Sequence, residues 1–175
     1  MQRLITVVVV LVLAASTFAA AGCGSSTKTI SQTGANGEVT TKTVPNIHFA
    51  KTKFVLHMGL AFGAFHRYIY KPLKAGAFSS GMPGRTKALV KAAVAAAFIV
   101  HELKIAREDA LADEHLRPLA EKIDGLFAKI GSLGSALKGG SLNPADIAGS
   151  AGAVAALSSA ASGAGVTIKD LAPAL

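Results

Sequence analysis

One stretch constrains the fold of this chain more than any other. Across residues 119–137, large apolar side chains recur at spacings of three and four: Leu119, Ile123, Leu126, Phe127, Ile130, Leu133 and Leu137. Glu121, Lys122, Asp124 and Lys129 fall mostly outside that stripe. The period is that of a helix burying one face, and such a helix needs neighbours to cover it. Pro118 suits the first helical position, where its missing N–H costs nothing, and Gly139-Gly140 supplies a stop.

Three further segments provide the neighbours. A first helix is expected over residues 50–71, ended by Pro72, whose ring disfavours helix at the residue before it. Between Phe54 and Phe65 it is apolar nearly all round, the mark of a central helix in a bundle or of a membrane segment. Gly59 and Gly63, four apart, open a groove on one face where another backbone can approach. A second helix is expected over residues 86–116, about 45 Å long, with Thr86 as its N-cap. Leu89, Ala93, Ala96, Val100 and Leu103 mark its buried stripe, widened by Val90, Val94, Ala97, Phe98 and His101. From Glu102 onward it turns polar, so that half projects into solvent or bends. A fourth helix opens at Asn143-Pro144-Ala145-Asp146 (cap, proline, acid) and runs to about residue 162. With no Trp and abundant Ala and Gly, these helices are expected to pack closely around a modest core. Residues 46–175 are thus expected to form an all-α, antiparallel bundle of about four helices.

Residues 24–45 are Ser, Thr, Gly and Lys with little that is large and apolar, too little to offset the entropy of ordering. Asn36-Gly37 between two Thr-Lys-Thr runs would suit a type I′ hairpin, but an isolated hairpin is marginal in water. The expectation for residues 23–45 is therefore a flexible tether, spanning about 26 Å as a coil.

Residues 1–22 read as an export signal: one early charge, Arg3, then an uncharged apolar run closed by Ala20-Ala21-Gly22. The only cysteine, Cys23, follows directly. A single thiol in an exported chain is not a disulfide partner within that chain. Over residues 1–23 this pattern resembles the lipobox of bacterial lipoproteins, with Ala20 where leucine is usual. The resemblance implies removal of residues 1–22, diacylation of Cys23 and attachment to the cell membrane on its extracytoplasmic face. Two acyl chains on one residue would make that attachment stable.

No catalytic signature appears. The serines lie in Gly/Ala stretches without a strand-to-helix elbow, there is no phosphate-binding glycine loop, and Cys23 is reserved for lipid. Five histidines raise haem or metal binding. In an antiparallel hairpin of the first two helices, His57 and His101 fall at one level and could ligate an iron or begin a metal site with Glu102. Glu108, Asp109, Asp113 and Glu114 are expected to be a solvated helix face, Asp113 pairing with Arg117 and Lys104 with Glu108.

The net charge is +8, and it is segregated. Eight basic residues and no acid lie between Lys51 and Lys91, whereas seven acids and four bases lie between Glu102 and Asp124. In the expected hairpin Arg67, Lys71, Lys74, Arg85, Lys87 and Lys91 gather at the loop end, where anionic lipid or an acidic envelope partner would fit. Nucleic acid fits the charge but not an exported protein. The expectation is a membrane-anchored, non-enzymatic structural or interaction module, with a haem-, metal- or small-ligand-binding bundle as the alternative.

Overall fold

The computed structural model describes residues 26–33 and 37–175. The expected export signal, Cys23 and the Asn36 turn position fall outside these residues.

The chain is mostly helical, with four main helices and one small sheet. Strands β1 (Thr27–Thr33) and β2 (Val39–Pro45) pair antiparallel, with Thr29 opposite Thr43 and Thr33 opposite Val39. The expected flexible tether is therefore a hairpin over most of its length. What rescues a marginal hairpin is docking: Val44 is buried at 2 % exposure where β2 meets the bundle. Asn46 N–H also donates to Ser26 O at 2.7 Å, closing the base of the hairpin.

Helix α1 (Ala50–Phe65) begins after Phe49, which is in the left-handed region at φ 57° and is 81 % exposed. The helical path does not stop before Pro72. It widens into a π-helical turn at His66–Tyr70 and continues as α2 (Lys71–Lys74). Proline brings no N–H to the ladder, and the wider turn lets Lys71 N–H reach His66 O instead. Residues 75–84 form a loop, and α3 (Arg85–Ala112) starts from Gly84 at φ 77°, not from a side-chain cap at Thr86. Its end comes at Asp113, whose extended backbone breaks the helix while its carboxylate accepts from the N–H groups of His115 and Leu116. That use of Asp113 replaces the expected Arg117 pair, and Arg117 Nε donates to Leu111 O.

A 3-10 turn at Arg117–Leu119 leads into α4 (Ala120–Gly139), stopped by Gly140 at φ 68°. Helix α5 (Pro144–Gly163) carries the expected cap, with Asn143 Oδ1 accepting from Ala145 N–H at 3.0 Å. Helix α3 lies between α1 and α4, and α5 covers α4. Cross-helix contacts give the directions. His57 meets Glu102. Arg107 meets Asp124 and Ala96 lies against Gly134, so α3 and α4 run antiparallel.

The stripe of α4 is buried as its spacing requires, Ile123, Leu126, Ile130 and Leu133 at 1 % exposure or less, in one core with Ile99 and Leu103 of α3 and Phe54, Met58 and Phe65 of α1. Phe127, one position round from Leu126, is 39 % exposed. The widened stripe of α3 fails in the same way: Val90 and Val94 are 58 % and 52 % exposed, and Ala97 and His101 face outward. Its polar second half is not free in solvent, since Glu102 and Asp109 are buried. Among the described residues no helix is long and apolar enough to cross a membrane.

Residues 164–175 form a strap laid back over α1. Leu171 N–H donates to Gly59 O at 2.9 Å, and an added Cβ on Gly63 would lie 2.3 Å from Leu171 O. The Gly59–Gly63 groove is thus filled by the chain's own C-terminal backbone.

Candidate functional site

Three regions hold the chemistry-bearing side chains. The first lies where α1 crosses the middle of α3. His57 Nδ1 and Glu102 Oε2 are 2.7 Å apart, with the imidazole 20 % and the carboxylate 7 % exposed. Two turns along α3, Asp109 is 1 % exposed and its Oδ2 has no hydrogen-bond partner among the described residues. Burial raises the Asp109 pKa above the ordinary carboxylate value; His57 and Lys53 oppose the rise and Glu108 adds to it. An i, i+7 pair on a helix stands about 10 Å apart, so Glu102 and Asp109 share a face without converging on one point.

This geometry corrects the His57–His101 pairing. Adjacent helix positions are about 100° apart, and it is Glu102, not His101, that faces α1, while His101 is exposed. Among the described residues no group of three or more His, Cys, Asp or Glu side chains could hold a metal ion. The solvated-face expectation for Glu108, Asp109, Asp113 and Glu114 fails at Asp109, the member that turns inward.

The second region is the basic end. Arg67 leaves the π-helical turn and Lys71 and Lys74 leave α2, and Arg85, Lys87 and Lys91 enter on the first turns of α3. All but Arg85 are exposed, and Arg85 Nε donates to Phe78 O at 2.9 Å, fixing the loop. Antiparallel packing brings Lys138, from the end of α4, beside Arg85. Sequence reasoning missed Lys138 because its place there depends on the α3/α4 pairing.

The third region is the strap. His66 Nδ1 and Asp170 Oδ2 are 2.5 Å apart, and Tyr68 Oη donates to Pro173 O at 2.8 Å while accepting from Leu175 N–H. These partners all leave the π-helical turn, whose extra width turns His66, Tyr68 and Tyr70 toward the tail or the core. The one signal for this site in the sequence was the pair of glycines.

Comparison with protein-family models, with curated proteins and with solved structures gives no match to this chain.

Proposed function

We propose that this chain is a lipid-anchored, extracytoplasmic, non-enzymatic interaction module whose basic end points away from the bilayer that holds it. The observation that carries the reading is the hydrogen bond between Asn46 N–H and Ser26 O, four residues before α1 begins. Acylation at Cys23 would leave two residues, Gly24 and Ser25, between the lipidated residue and Ser26, a reach of about 10 Å. The anchor would therefore hold the Ala50 end of the bundle against the membrane. From Ala50 to Lys74 the helical path measures about 37 Å, and the basic cluster sits at its far end.

This differs from a long coil on which the domain could roll its basic end onto headgroups. Phe49, largely exposed beside the anchor and flanked by Lys51 and Lys53, suits an interfacial position better than the basic loop does. The basic end would then serve a partner with an acidic surface in the envelope. Coulombic attraction of this kind sets encounter rate and register more than affinity.

The reading is tested on the full-length chain in its native membrane. Mass spectrometry of the mature N-terminus is expected to find diacylated Cys23. Lys71→Glu, Lys74→Glu and Arg85→Glu together are expected to abolish crosslinks to the partner without releasing the protein from membranes. An unmodified Cys23, or crosslinks indifferent to the reversal, would overturn it.

A further inference from the structure

We infer that the outer face between α3 and α4 is a binding groove for a single-chain fatty-acid anion. The groove has a volume of about 670 Å³, within the range of small-molecule sites, and its floor and walls include Leu89, Ala93, Val94, Ala97 and Leu137. It continues along the helices through Val100, Ile130 and Gly131. From Arg85 to Val100 this trough is about 22 Å long, while one lipid tail fills half of a hydrocarbon core roughly 30 Å thick.

Small residues make the trough. Gly134 brings α4 against Ala96, while Gly131 has nothing near the place of a Cβ, and Ala93 and Ala97 leave the facing wall low. Val90 and Val94 stand more than half exposed on one rim, an apolar ridge that no other described residue covers. Arg85 stands at one end of the trough with Lys87 nearby on α3, and Lys138 borders both of its parts from α4; among the described residues no acid lines it. Arg85 uses Nε on Phe78 O and keeps its remaining N–H donors for a ligand. An apolar trough with Arg85 at its end, Lys138 on its border and no acid among its described lining complements a molecule with one tail and one negative head.

Charge separates this occupant from the other two that an apolar face admits. A second copy docked in parallel would bring Arg85 against its own counterpart, and one docked antiparallel would lay that cation over apolar surface with no counter-ion. The apolar leader of this chain, residues 4–22, is uncharged and would leave both cations unpaired. The inference does not rest on acylation of Cys23, and it is tested separately from it.

The full-length chain is purified in detergent-free polymer discs and exposed to a diazirine-labelled palmitate, with adducts mapped by mass spectrometry. Labelling is expected on the α3 and α4 faces of the trough, competed by palmitate at least tenfold better than by hexadecanol. Ala97→Phe, which fills the trough, is expected to cut labelling at least tenfold, and Arg85→Glu with Lys138→Glu several-fold. Val94→Asp, at an exposed position that tolerates a charge, is the second variant should Ala97→Phe fail to fold. Adducts outside the trough, labelling that survives these substitutions, or equal competition by the neutral alcohol would overturn the proposal. So would a change from dimer to monomer in Val94→Asp without any palmitate adduct.

Discussion

Two grooves in this molecule are built from the same material and end differently. On α1, Gly59 and Gly63 lower the helix surface and the chain's own strap fills it, Leu171 pressed backbone to backbone. Between α3 and α4, Gly131, Ala93 and Ala97 lower the surface and no other described part of the chain covers it. Small residues therefore do not by themselves say what they make room for. In the first groove backbone polar groups meet, and hydrogen bonds fix the occupant. In the second the exposed surface is largely side-chain hydrocarbon bordered by Arg85 and Lys138, which suits a guest from outside.

The largest effect expected from this contrast is at Gly63. Gly63→Ala would drive a Cβ into the Leu171 carbonyl, which cannot rotate away as a side chain can. A loss of about 1–3 kcal/mol is expected in urea unfolding, with limited proteolysis releasing the tail first. In a chain truncated before residue 170 the same substitution should cost nothing; if it costs as much, the strap is not what the glycine serves.

The polar groups of α3 repeat the contrast between filled and unfilled. Glu102 is satisfied by His57, so His57→Ala is expected to cost about 1–3 kcal/mol by stranding a buried carboxylate, read from urea unfolding. Asp109 has an oxygen without a partner among the described residues, and its pKa is raised by burial. Between the ordinary carboxylate pKa and that raised value, the folded protein binds more protons than the unfolded chain. Stability contributed by Asp109 is therefore full at low pH and is lost as pH rises through the raised pKa. Asp109→Asn is expected to flatten that part of the stability–pH profile and to gain about 1 kcal/mol at neutral pH. A profile unchanged by the substitution would mean that Asp109 finds a partner in solution.

The smallest effect has the opposite sign. Gly131→Ala adds a methyl where nothing stands within 4 Å and removes a flexible residue from a helix interior. A gain of about 0.5–1 kcal/mol is expected. A loss there would mean that the open trough is closed in solution and would count against a guest.

Much of the helical framework was legible because its signals are local. The period of α4, the Asn143-Pro144 start of α5 and the glycines of α1 act within a few residues of themselves. What escaped depended on partners distant in sequence. The hairpin needed Val44 to find the bundle, and the strap's seat depended on residues more than 100 positions away, as in the His66–Asp170 contact. Helix ends were misjudged where one residue could serve two roles: Asp113 caps a turn where an ion pair with Arg117 was expected. At the candidate sites the basic end was legible from charge segregation alone. The His57 partner was displaced by one position, because a small rotation of a helix decides whether residue 101 or 102 faces inward.

The π-helical turn at His66–Tyr70 has a consequence for how the two termini are coupled. It sets the side chains that hold residues 170–175 on the same helical rod whose start meets the base of the hairpin. Were the N-terminus anchored as proposed, a tug on it would be borne along that rod toward the tail clasp, and load at one end would be joined to release of the C-terminus at the other. A protein moored at one end would in this way carry a latch at the other, sprung by tension instead of by a ligand.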